Sequence, residues 1–206
     1  MTLYIPPAFA LKDQAMIDQI MADYPFATLI TPMDDDALIS HVPILAQRDE
    51  QGELVLHFHL ARANPHVQAL RDGRVAIAVF HGPHTYISPQ YYQSRQEVPT
   101  WNYITVHAYG RPDALDRDHS DDLLARLTGI FESGPNHWHM DEVAPERMDR
   151  LHGALQGFVM PVTRLEAKAK LSQNKSNDDR AGVIKALSMS ENTDDQALVK
   201  AMMTGA

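Results

Sequence analysis

The chain has 206 residues, and its 18 Lys and Arg stand against 27 Asp and Glu, a formal net charge of −9. Its 44% hydrophobic and 22% charged content is globular and excludes disorder over most of the length. The lack of cysteine excludes disulfides, thiolate metal sites and a cysteine nucleophile. No apolar run approaches the ~20 residues of a membrane span. Met1 to Phe9 has no basic region followed by an apolar stretch, so the expected compartment is the cytoplasm.

In chain order, Met16, Ile17, Ile20 and Met21 recur at helical spacing, and Pro25 predicts the end of that helix near Tyr24. The run from Phe26 to Thr31, the turn residues Asp34 to Asp36 and the run from Ala37 to Pro43 predict a hairpin. Glu53 to Leu60 alternates, with Leu54, Leu56, Phe58 and Leu60 on one face and Val55, His57 and His59 on the other. Asn64-Pro65 opens a helix that Gly73 limits to about two turns. Strands are expected at Arg74 to Phe80, Thr85 to Ser88 and Thr100 to Tyr109, with a turn at Gly82-Pro83. Helices follow around Leu123 to Phe131 and from Pro145 to Leu155, then one strand from Gly157 to Val162. Ser176 and Thr193 each read as the cap of a short C-terminal helix. The expectation is a single domain over 1–206, mainly β with flanking helices. It is a six- to seven-stranded antiparallel barrel with a helical extension from about residue 176.

There are 11 histidines, about twice ordinary usage. His57 and His59 lie on one strand face and could chelate a metal in a cupin-like barrel, or simply line a polar face. His81, His84, His137 and His139 sit in expected turns and loops without a carboxylate spacing such as H-E-x-x-H. Nucleophile elbows and glycine-rich phosphate loops are absent. Arg62, just ahead of the helix start at Asn64-Pro65, offers a guanidinium beside backbone N–H groups, which is an anion site or an ordinary connection. Gln173 and Asn174 could read a planar heterocycle, with Lys170 or Lys175 on a phosphate. Trp101, Asn102 and Tyr103 offer stacking surface and amide hydrogen bonds, unless they are core. Basic residues cluster only at Lys168, Lys170 and Lys175, so direct DNA binding is not expected of so acidic a chain.

Five segments together resemble the FMN-binding negative regulators called PaiB, whose fold is the FMN-binding split barrel. They are Y-I-P-P-A-F from Tyr4, H-L-A-R-A-N-P-H from His59, G-P-H-T-Y-I-S-P from Gly82, V-P-T-W-N-Y-I-T-V-H-A-Y-G from Val98 and K-L-S-Q-N-K-S-N-D-D-R-A-G-V from Lys170. The resemblance implies a homodimer with an FMN at each of two symmetric sites. It implies cofactor contacts from His59, Arg62 and Asn64, from Trp101 and Asn102, and from Gln173, Asn174 and Lys175. The chain departs from the family at Tyr91, where Trp is usual, and at Gln156, where an aliphatic residue is usual. The implied activity is a flavin-dependent oxidoreductase, with NAD(P)H or a small molecule as partner, or a flavin-linked negative regulator of transcription. A haem-binding or haem-degrading split barrel is the alternative. His41, His84 and His107 are equal candidates for an acid or base.

Overall fold

A computed structural model describes residues 3–132 and 134–204. In chain order it runs α1 (Gln14–Asp23), β1 (Phe26–Pro32), β2 (Ala37–Pro43), β3 (Leu45–Arg48), β4 (Leu54–Ala61), α2 (Pro65–Arg71), β5 (Ala76–Ile87), β6 (Thr100–Gly110), β7 (Asp113–Ala114), α3 (Arg117–Phe131), α4 (Pro145–Gly153), β8 (Leu155–Lys170), α5 (Asn177–Ser188) and α6 (Thr193–Thr204). The sheet order is β2-β1-β5-β6-β8-β4-β3, with β7 against β8. The expected antiparallel, helix-flanked architecture is borne out in eight strands; β3 and β7 are too short to leave a periodic signal.

The chain forms two compact units, one of Met1–Tyr24, Phe80–His107 and Glu166–Ala206, the other of Pro25–Val79 and Ala108–Leu165. In the second unit β1 and β2 pair from Phe26↔Pro43 to Pro32↔Ala37. The Met33 N–H closes the turn on the Asp36 carbonyl at 2.8 Å. Strand β4 buries Leu54, Leu56, Phe58 and Leu60 as its alternation predicts, and Phe58 stacks on Phe158 with ring centroids 5.5 Å apart. Burying four such side chains contributes about 1.5–3 kcal/mol each. Beside them His59 is paired with Gly157 of β8. A Cβ on Gly157 would stand 2.7 Å from Ser120 Oγ, so only glycine lets α3 approach here.

In the first unit Leu11, Ile17, Met21, Ile104, Val183, Leu187, Leu198 and Met202 are buried. Three expectations change. Gly82-Pro83 is no turn: β5 is continuous from Ala76 to Ile87, and Gly82 lies so close to β6 that a Cβ would meet the Ile104 carbonyl at 3.0 Å. Strand β8 extends to Lys170 through a polar stretch whose charges find partners: Leu3 N–H donates to Glu166 and Lys168 Nζ donates to the Tyr4 carbonyl. The second C-terminal helix is capped by Asn192 rather than Thr193, since Asn192 Oδ1 accepts the Asp194 N–H at 2.8 Å. Ser176 caps α5 as expected.

Candidate functional site

Strand β6 places Trp101 and Tyr103 on one face and Thr100 and Asn102 on the other. Trp101 is 53% exposed. Its ring lies 6.3 Å from that of His84 and 6.1 Å, edge-on, from that of Tyr86. Trp101 and His84 border a cleft of about 290 Å³ that Tyr103 and His81 also line. On the other face Asn102 is fully buried, and its amide bonds to Ser172 Oγ at 3.0 Å. Ser172 is held at a φ of 61°, a conformation that costs a non-glycine residue energy and marks a constrained loop. Gln173 spends both ends of its amide on that loop, accepting from Leu171 N–H and donating to the Ala169 carbonyl. Asn174 is exposed. Lys175 pairs with Glu97 and lies over the Tyr92 ring. Lys170 donates to Thr100 Oγ1; burial first, then Lys168 and Lys175, lower its ammonium pKa. Among the described residues Lys170 has no carboxylate partner, so the loop holds partly buried positive charge in excess.

His59, Arg62 and Asn64 belong to the other unit. His59 borders a groove of about 440 Å³ with Ser40, His41 and Asn64. Its Nδ1 is buried without a hydrogen-bond partner among the described residues, and burial lowers its pKa. Arg62 turns inward: Nε donates to the Gly153 carbonyl and Nη1 to Gln156 Oε1, both at 2.9 Å. Asn64 caps α2 by accepting the His66 N–H at 2.9 Å, and its Nδ2 donates to Ser40 Oγ at 3.1 Å. Val67 N–H is taken by the Asn64 carbonyl, and Pro65 has no N–H. The structure therefore shows the start of α2 with its own donors satisfied.

Two polar centres in this unit left no local signal in the sequence. Gln156, 1% exposed, accepts from Arg62 and Arg71 and donates to the Leu115 and Gly157 carbonyls. An amide suits this position because both guanidiniums need a buried acceptor. His66, also 1% exposed, bridges Ser40 Oγ at 3.0 Å and Thr31 Oγ1 at 2.9 Å, and burial lowers its pKa. Apart from the adjacent Gly157 carbonyl, these partners come together over sequence separations of 26 to 94 residues, beyond any motif.

His57 and His59 do share a face of β4, but no group of three or more His, Asp or Glu that could hold a metal occurs among the described residues. His41 Nδ1 lies 3.2 Å from Thr28 Oγ1. His107 is half-buried, and burial lowers its pKa against the opposing pull of Glu166. No helix among the described residues is long and apolar enough to cross a membrane.

The fold is shared with solved flavoproteins. The FAD and haem binding protein of Mycobacterium smegmatis superposes with a TM-score of 0.57 at 15% identity, over 78% of this chain and 72% of that one. The flavocytochrome Anf3 of Azotobacter vinelandii does so with a TM-score of 0.57 at 14% identity, over 78% and 68%. The architecture is thus a split barrel of the kind these two proteins have. Residues 3–164 match the family FMN_bind_2, described as "Putative FMN-binding domain", and the chain belongs to that family. It is also 30% identical over 207 residues to the protease synthase and sporulation protein PAI 2 of Bacillus subtilis, covering 97% of this chain and 96% of that protein. An uncharacterized protein of Emericella nidulans is 26% identical, with 88% and 89% covered. The PaiB resemblance is borne out, and FMN is the cofactor that the family assigns.

The residues present fit that cofactor. Trp101 offers an exposed aromatic face for a planar ring. Lys170 offers an ammonium group that has no carboxylate partner among the described residues and suits a phosphate. In the second unit, taken by itself, His59 Nδ1 is a buried nitrogen with no partner among the described residues, whose burial costs free energy unless a polar ligand atom meets it.

Proposed function

We propose that the chain is a cytoplasmic, homodimeric FMN-dependent oxidoreductase that uses NAD(P)H to reduce a small molecule, with FMN at two symmetric sites. The half-exposed Trp101 carries the reading, because strand β6 leaves a large indole uncovered beside a cleft. When bound, FMN supplies the hydride chemistry; the protein supplies binding, orientation and electrostatics. Trp101 provides stacking surface, Lys170 and Lys175 provide cations, and the exposed amide of Asn174 is free to turn toward a polar edge. Asn102 and Gln173 shape the same loop from within. Within the second unit, taken by itself, His59 is proposed as a contact for a polar ligand atom in its own groove, with Arg62 and Asn64 holding the backbone around it.

Titration of the purified protein with FMN, followed by tryptophan fluorescence and by sedimentation, tests this. Saturable quenching in a dimer, with NAD(P)H oxidation by the loaded protein, is the expected result. A monomer that gives neither heat nor quenching with FMN overturns it. The name of the PAI 2 relative favours a second reading, a flavin-linked regulator. With a net charge of −9, that regulator acts through a small molecule or a protein partner rather than by gripping phosphates. DNA retardation at physiological salt without turnover would displace the oxidoreductase reading. A histidine-ligated spectrum on haem titration would displace the flavin one.

A further inference from the structure

We infer that His84 is the residue that exchanges a proton with the substrate in the cleft beside Trp101, and that Asp194 positions it; this rests on the oxidoreductase reading above. Among the three histidines that the sequence leaves equal, His84 combines a carboxylate neighbour, an accessible ring and a cleft. Its side chain is 59% exposed, and its Nδ1 lies 3.6 Å from Asp194 Oδ2 and 3.3 Å from the Gly82 carbonyl. Both neighbours on that side are acceptors, so Nδ1 carries the hydrogen. Nε2, across the ring, makes no hydrogen bond among the described residues and is left for a ligand in the cleft that the ring lines.

The carboxylate is itself placed. Asp194 sits in the first turn of α6, where its N–H donates to Asn192 Oδ1, and its Oδ2 also accepts the His84 backbone N–H at 3.4 Å. Backbone and ring of one β5 residue are thus held by one helical carboxylate, the arrangement that fixes a tautomer for general acid–base work. His41 faces a threonine hydroxyl instead, and His107 is half-buried.

The step is written for a quinone, a two-electron acceptor with the planar shape to lie beside Trp101 and a need for one proton. Reduction of a quinone by NAD(P)H delivers a hydride, hence two electrons, and still needs one proton for the second oxygen. The Nε2–H bond of the protonated His84 ring breaks as that O–H bond forms, and water returns the proton to Nε2. The sum is NAD(P)H, a proton and a quinone going to NAD(P)⁺ and a hydroquinone.

The test uses the full chain loaded with FMN. Nitrogen NMR of the neutral His84 ring should show hydrogen on Nδ1 in the native protein and a shift toward Nε2 in Asp194→Ala. His84→Ala should lower kcat for NAD(P)H–quinone turnover about 100-fold, with KM and FMN affinity unchanged and added imidazole restoring rate, while Asp194→Asn should cost about tenfold. Native turnover that survives His84→Ala, or a native ring with hydrogen on Nε2, overturns the inference and leaves the flavin reading standing. Bound FMN with no turnover in the native protein overturns the oxidoreductase reading, and the role of His84 with it.

Discussion

At the entry to α2, Arg62, Asn64 and His66 are directed to protein atoms: Gly153 and Gln156, Ser40 and the helix N–H, Ser40 and Thr31. At the start of β6 and the end of β8, Trp101 lies half in solvent, and among the described residues Lys170 has only a threonine hydroxyl. Both regions are short polar runs beside a capped helix. The first spends its hydrogen-bonding capacity on holding strands and helices together, and the second keeps part of it outside. A polar motif becomes available for a ligand only where the surrounding fold has not already claimed it.

That contrast can be broken by substitution. The largest effect is expected at Gly182, where a Cβ would stand 2.1 Å from the Tyr91 carbonyl. Gly182→Ala should destabilise the first unit by about 3 kcal/mol, since a backbone contact cannot rotate away; an unchanged urea midpoint would deny that α5 is so closely seated. Next comes Gln156→Leu. It leaves the Leu115 carbonyl and two guanidiniums short of a partner, at a cost of about 2–3 kcal/mol, and should lower Tm with little change in FMN affinity. Trp101→Ala sharpens the other side: FMN should bind about tenfold more weakly, about 1.4 kcal/mol, with Tm unmoved.

The smallest effect is in pH. Burial sets the folded pKa of His66 below its ordinary 6.5, so the unfolded chain takes up the proton first. This stability is complete above about 6.5 and is lost as pH falls from there through the depressed folded value. His57, His59 and His107 share the sign. His119 has the opposite sign beside Asp116, but it is exposed and screened. Tm should therefore decline on going from pH 7.5 to 5, and less steeply in His66→Gln; a flat profile in the native protein would mean that the His66 bridge does not survive in solution.

Much of the fold was legible in the sequence. The alternation from Leu54 to Leu60, the Asp34 to Asp36 turn and the Asn64-Pro65 helix start depend on neighbours along the chain, and the structure reproduces them. What failed depended on distant neighbours. Gly82-Pro83 has turn chemistry, but close packing on Ile104 keeps it extended. The polar stretch after Thr163 lacks strand alternation because Glu166 and Lys168 are buried with partners about 163 residues away. The site divides the same way. Residue types suited to a flavin could be read from the sequence, whereas whether Asn102 or Gln173 was free to use its amide could not.

The C-terminal helices lie outside the stretch 3–164 that defines the family, yet α5 and α6 carry Val183, Leu187, Leu198 and Met202 in the first unit's interior. The Asp179 carboxylate, held below the usual range chiefly by the Ser94 N–H, also ties down the segment leading to β6. Trimming the gene to the family's borders would therefore yield a sticky, insoluble fragment rather than a minimal flavoprotein, and any reporter fusion should follow residue 204 rather than interrupt the chain before it.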